Sequence, residues 1–597
     1  MPAERRATLV YDGDCGICRY WVDYWKQLTG DQVLYRAYQE AAGDFPAIPR
    51  ERFARAIQFI EPDGTSYAGA AATYRTLRYA PGRSVWWWMY ERIPGFAAVS
   101  EGVYAFLARH RDLLGRLSYI LWGPRLEAER YELVSWVFLR LIGIIYVIAF
   151  ASLAVQIRGL VGEGGILPAG EFLKAAHHGW GMSAYWRMPT LFWLNASDAA
   201  LVAATGLGIL LGLFVVFGRW TRAALIGLYV LYLSCVYAGQ VFMSYQWDLL
   251  LLESGFLAIF LTAGSRVVVW LYRWLIFRYL FMSGIVKAIS AQPTWHDLTA
   301  LKYYFMSQPL PTPLAWYAAQ LPPWMLAVGT AATLVIELAL VFLIFLPRRL
   351  RAVAASCILI FQVLIMLTGN YGFFNLLTMA LCVFLFDDAA IRHAVPRKLT
   401  LWIQDRAPRP GKTATVCALL LTMVVVPVGA DRIVQALASP NLPIVGAVTR
   451  ATSPWLIVNA YGPFATTTMK RPEIIVEGSD DGQSWRAYDF RYKPGPVDRR
   501  PSWNIPHQPR LDWQMWFAAY GSFAQNPWFE NLLRRLLEGS APVLALFGSN
   551  PFPDHPPKRV RALLFDYRFA DPATHARTGQ WWIRRQEGLY FPEISSQ

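Results

Sequence analysis

The chain has 597 residues, 55% hydrophobic and only 16% charged, which is more apolar than soluble cores of this size need; membrane burial is the simplest reading. The net charge of +15 comes from 56 Lys+Arg against 41 Asp+Glu, and much of the excess lies in loops between apolar stretches. That distribution points to membrane orientation and away from nucleic acid as a partner.

Residues 1–8 are charged and lead into a strand-like run, so no apolar signal core is read there, and the N-terminal domain is expected to stay on the side where it is made. Residues 7 to about 120 read as soluble: a short strand at 7–11, helical apolar spacing over 18–28, then 54–60 and 65–69 flanking an Asp63-Gly64 turn. From Val134 onward there are about nine apolar stretches near the ~20 residues a helical span needs. They run over 134–157, 199–217, 223–243, 249–264, 269–289, 325–346, 351–368, 373–386 and 413–430. The fifth carries Arg273 and Arg278 and is the candidate for a partly interfacial helix.

Basic residues concentrate in alternate loops: Arg125 and Arg130, Arg219 and Arg222, Arg266, the group Arg348, Arg349 and Arg351, and the stretch 392–412. By the positive-inside rule the N-terminus is expected inside, and an odd number of spans puts residues 431–597 on the other side. That last part alternates strand-like runs with turns: 472–477, a turn at 478–482, then 485–492 as a hairpin, further strands at 560–569 and 581–590, and a helix over 528–537. The expected fold is a multi-pass α-helical membrane protein with an N-terminal α/β domain (1–120), a transmembrane domain (121–435) and a C-terminal β-rich soluble domain (436–597).

Of six cysteines, Cys235, Cys357, Cys382 and Cys417 lie singly in apolar stretches and form no disulfide framework. Cys15 and Cys18 are spaced for chemistry. The strand at 7–11 delivers the turn Asp12-Gly13-Asp14 to Cys15 at a helix start, whose unpaired N–H groups stabilise a thiolate. Cys18, one turn on, shares that face and can resolve a mixed disulfide, so Cys15 is the expected nucleophile and Cys18 its partner, with Asp12 in support. No second Cys pair exists and the nearest histidine is His110, so a zinc site is weakly indicated; no metal or other cofactor is expected.

The run Tyr11-Asp12-Gly13-Asp14-Cys15-Gly16-Ile17-Cys18, with Pro62-Asp63-Gly64 and Gly69-Ala70, resembles the DCC family of thiol-disulfide oxidoreductases over about 110 residues. The resemblance implies a thioredoxin-like fold and a thiol redox partner. One departure is visible: no proline precedes the strand at 54–60, where thioredoxins place a cis-proline against the dithiol.

A second set of strings follows in order: 156–160 with 165–168, 189–198 (PTLFWLNASD), 242–256 (FMSYQWDLLLLESGF), 281–322, 368–378 (TGNYGFFNLLT), 471–495, 506–519 (PHQPRLDWQMWFAA) and 550–569. Together they resemble the lipase maturation factor family. The animal members are multi-pass proteins needed for certain secreted lipases to mature, so the resemblance implies client proteins as partners. A DCC domain in front looks like a bacterial relative, which implies a bacterial cell membrane. The rival function is a membrane thiol-disulfide oxidoreductase.

Charges at membrane depth cost ~2.5–3.5 kcal/mol each and need partners. Glu253 and Glu337 are placed deepest, Lys287 near the outer end of its span, Arg140 near the inner end of the first, and Asp248 closer to the surface. Structural pairing is the default for each, with a ligand or proton-transfer site as the sharper alternative. Residues 281–287, with Trp295 eight residues on, are distantly similar to the segment of vitamin K-dependent gamma-carboxylases that carries their catalytic lysine, which would fall on Lys287. Snorkelling or pairing with Glu253 is the competing reading. Trp513, Trp516, Phe517 and Trp528, with Arg510 and Asp512 as a flanking ion pair, suit a domain core better than a recognition patch.

Overall fold

A computed structural model describes residues 6–123, 126–438 and 443–595. Met1 and Arg125, used above for the start and the first basic loop, lie outside them, as do 124, 439–442 and the last two residues. The chain forms two compact units: one of residues 1–130, 346–353 and 388–393, the other of 131–345, 354–387 and 394–597.

In the smaller unit a four-stranded sheet runs in the order Leu34–Ala37, Thr8–Tyr11, Gln58–Ile60, Ser66–Ala68. The first two strands are parallel, with Thr8 opposite Leu34, and the other pairings are antiparallel. Strand alternation splits the core: Leu9 packs with Val22, Phe59 and Ala72 on one face, Val10 with Ala41, Phe53 and Ile60 on the other. The strand expected over 54–60 is shorter, because Pro49 opens the helix Arg50–Arg55 and that turn consumes the first residues.

Among the described residues, seven helices are long and apolar enough to cross a membrane: Glu132–Ala154, Asp198–Phe217, Thr221–Ala238, Arg266–Ala288, Pro323–Phe345, Arg348–Thr368 and Lys412–Leu437. The pair Phe374–Leu385 and Asp388–Ala394, bent by 111°, makes an eighth if it is one span. The remaining stretch of the expected set forms Gln246–Leu261, whose 16 residues reach only about 24 Å. It is nearly all buried, packed by Thr221–Ala238 and Arg266–Ala288. Arg266–Ala288 is not interfacial: most of it is buried, Arg273 and Arg278 included, so this helix is central. Glu132–Ala154 and Asp198–Phe217 cross closely through glycine. A Cβ on Gly208 would lie 2.5 Å from the Phe150 ring, and one on Gly212 2.8 Å from Val147.

The C-terminal part belongs to the same compact unit as most of the spans. Its antiparallel sheet runs Trp582–Ser595, Arg559–Phe569, Arg471–Ser479, Arg486–Ala487, and the helices Arg510–Ala519 and Pro527–Leu537 accompany it. Trp513, Trp528 and Trp582 are core; Phe517 stays exposed.

Candidate functional site

Cys15 caps the helix Gly16–Thr29, and its sulfur accepts the Cys18 backbone N–H at 3.3 Å. Both cysteines are free and half-buried. Burial, then the hydrogen bond and charge interaction with Cys15, push the Cys18 thiol up to about 12, so Cys18 holds its proton, while Cys15 lines an open cleft. An open cleft of about 590 Å³ lies before Cys15, lined by Asp12, Asp14, Tyr20, Arg111, Gly115 and Arg116 among others.

The turn that presents Cys15 is braced by a residue no local pattern marks. Gln39 donates to Asp12 Oδ1 at 2.9 Å and to Asp14 Oδ2 at 3.0 Å, while its Oε1 accepts the Gly13 N–H at 3.0 Å. A Cβ on Gly13 would meet Ala37 at 2.8 Å, which explains the glycine. Asp12 also lies 3.7 Å from Arg111. Where thioredoxins carry a cis-proline, Ile57 keeps its N–H and donates it to Tyr104 Oη at 3.1 Å. Gly69, at φ +64°, lets Glu101 reach the first N–H groups of the following helix at Ala70 and Ala71.

Several buried charges of the larger unit are paired. Glu253 takes the Arg278 guanidinium, the Asn459 N–H at 3.0 Å and the Tyr461 hydroxyl at 2.9 Å. Lys287 donates to both Glu337 oxygens, at 2.9 and 2.7 Å, and to the Ser283 carbonyl at 3.2 Å, with the Trp295 ring 5.4 Å away. Its partner is therefore Glu337 and not Glu253. Asp248, expected near the surface, is fully buried and receives a bidentate Arg510 at 2.8 and 2.8 Å. The expected Arg510–Asp512 pair does not form: two residues apart on a helix, they point to different sides. Asp512 instead accepts the backbone N–H groups of Tyr492 and Lys493, each at 2.9 Å. Arg140 lies over the Trp136 ring at 4.6 Å. Arg278 and Arg510 were the partners sequence reasoning missed as such. The signal for the first was a charge inside an apolar run; for the second there was none.

Comparison with known proteins joins these pieces. The lipase maturation factor transmembrane domain matches residues 133–393 and the lipase maturation factor C-terminal domain matches 457–592. Lipase maturation factor 1 of Bos taurus is 35% identical over 533 residues, covering 82% of this chain and 92% of the relative. The chain belongs to the lipase maturation factor family. Lipase maturation factor 2 of Mus musculus and of Homo sapiens are each 35% identical, over 588 and 585 residues, covering 77% of this chain and 82% of each relative. Residues 9–117 match the DCC1-like thiol-disulfide oxidoreductase domain, which holds Cys15 and Cys18. No solved structure matches. In this family member the pairs Arg510–Asp248 and Asn459–Glu253 tie the C-terminal region to the membrane region, and Lys287–Glu337 lies wholly inside the latter.

Proposed function

We propose that this multi-pass membrane protein of the lipase maturation factor family assists the folding or maturation of client proteins, secreted lipases among them, and that its DCC-type dithiol exchanges electrons with a thiol redox partner. The observation that carries the reading is the single body made of spans and C-terminal sheet, bound together by buried ion pairs. Such a body holds a large surface rigidly at the membrane.

In the proposed topology, the N-terminal domain (1–120) is cytoplasmic in a bacterial cell, the spans lie within 121–435, and 436–597 is extracytoplasmic. The DCC domain in front of the spans supports a bacterial membrane, while the relatives named above are animal proteins. The seven helices long and apolar enough to cross are an odd number, in support of opposite sides for the two ends. The basic segments 346–353 and 388–393 belong to the same compact unit as the N-terminal domain, in support of one common side.

In the redox step, the Cys15 thiolate attacks a partner disulfide, forming a mixed disulfide and releasing one partner thiol. Cys18 then gives up its proton and attacks the Cys15 sulfur, releasing the second thiol. The partner gains two electrons and two protons, and Cys15–Cys18 becomes a disulfide that a cellular dithiol reductant must reset. The geometry of Cys15 and Cys18 also favours the rival reading, in which oxidoreduction is the whole purpose. For the carboxylase-like reading, the three acceptors around the Lys287 ammonium favour an ion pair over a base.

Crosslinking in intact membranes followed by capture of the full-length chain tests the proposal. Secreted enzymes among the adducts support the maturation reading. Thiol-redox proteins alone, lost in Cys15→Ser, would replace it with the rival.

A further inference from the structure

The smaller unit has a helical surface built inside out. In the helix Phe96–Arg109, Ser100 and Tyr104 face the core, while Val99, Val103 and Phe106 are 68%, 52% and 57% exposed. In Arg111–Trp122, Ser118 is buried while Leu113, Leu117 and Ile120 are exposed. Each trio recurs at i, i+4, i+7, one continuous stripe on its helix. Trp86 and Trp88 of the helix Ser84–Arg92 are exposed as well. A soluble domain keeps such stripes inside, and an apolar stretch of this extent marks a binding surface.

We infer that this surface docks on the bilayer, in the headgroup and upper acyl region of the leaflet where the helix Arg348–Thr368 begins. Three observations select lipid as the occupant. First, Arg349, the second residue of that apolar helix, belongs to this same unit, and it donates to the carbonyls of Tyr119 and Ile120 at 3.2 and 3.4 Å. The end of Arg111–Trp122 thus lies at the first turn of a membrane span, where headgroups are. Second, the nine residues 123–131 between Trp122 and the span starting at Glu132 reach at most about 30 Å, a tether short enough to keep the membrane within the unit's reach. Third, exposed Trp86 and Trp88 share their helix with exposed Arg92, and exposed Arg109 ends the helix Phe96–Arg109, the mixture that interfacial helices use, rings at headgroup level and cations against anionic lipid. The other side of Arg111–Trp122 lines the cleft before Cys15, so docking holds the dithiol within about one helix diameter, ~10 Å, of the headgroups.

The test uses the full-length chain in nanodiscs of phosphatidylcholine and phosphatidylglycerol, with a photoreactive benzoyl-phenylalanine replacing Phe106 or Leu117, or Asp31 as an exposed polar control. Phospholipid adducts at 106 and 117, absent at 31, are expected. Val103→Glu, at a surface position, should lower the adducts at 117 several-fold with thermal unfolding unchanged. Crosslinks from 106 and 117 to a second copy or to another protein, or lipid labelling no greater than at 31, would overturn the inference.

Discussion

The two compact units treat charge in opposite ways. Around the dithiol, polar groups are half-exposed and adjustable: Asp12 Oδ1 accepts from both the Gln39 amide and the Asp14 backbone N–H, and the contact of Oδ2 with Arg111 is long at 3.7 Å. In the larger unit the ion pairs Arg278–Glu253, Lys287–Glu337, Arg510–Asp248 and Arg471–Glu473 are sealed from solvent. Chemistry on sulfur needs access and a mobile proton, whereas a charge in a dry interior persists only when its partner is fixed by many hydrogen bonds. Accessible charge therefore surrounds the candidate dithiol site here, and sealed charge marks the joints.

The contrast is tested hardest at Arg510. Arg510→Met leaves Asp248 buried without its guanidinium and should cost about 3–5 kcal/mol in the unfolding of the detergent-solubilised chain. A double-mutant cycle with Asp248→Asn should return a coupling above roughly 1 kcal/mol; additive losses would deny that the pair is a joint. Next comes Lys287→Met, at about 3 kcal/mol, with Lys287→Arg close to the parent in stability and function. If both variants abolish function while membrane abundance holds, Lys287 performs chemistry and the rule that sealed charge is structural breaks at that site.

A smaller effect is expected at His507, whose ring Nδ1 lies 3.0 Å from the Ser152 hydroxyl. Burial, then the positive charges of Arg510 and Arg491, push it down to about 4. The unfolded chain takes up this proton near pH 6.5 and the folded chain does not. Stability contributed above pH 6.5 is therefore lost as the pH falls towards 4, by about 1–2 kcal/mol, allowing for its partial exposure. His507→Gln should flatten that window in acid-unfolding curves. The smallest stability change, within about 0.5 kcal/mol, is expected for Cys15→Ser in the smaller unit, although it should end all thiol exchange. In the parent at neutral pH, peptide mapping after brief alkylation should find Cys15 modified before Cys18. Equal, slow modification of both would remove the distinction between a reactive unit and a structural one.

Much of this was legible in the chain itself, because its signals are local. Hydropathy over ~20 residues marked the spans, strand-like runs between turn signals marked the strands at 472–477 and 560–569, and the spacing of Cys15 and Cys18 behind a strand and tight turn located the dithiol. Even Glu253, Lys287 and Glu337 stood out, since a charge in an apolar run is conspicuous. Their partners did not, because pairing is set by which helix faces meet. Lys287 finds Glu337 50 positions on, Asp248 finds Arg510 262 positions on, and Gln39 reaches back 27 to Asp12. Burial of Arg273 and Arg278 was likewise decided by the packing of Arg266–Ala288 among its neighbours, where bonds to the Phe384 and Asn459 carbonyls replace water. A sequence states which groups must be satisfied; only the tertiary structure, by bringing distant segments within hydrogen-bond range, decides what satisfies them.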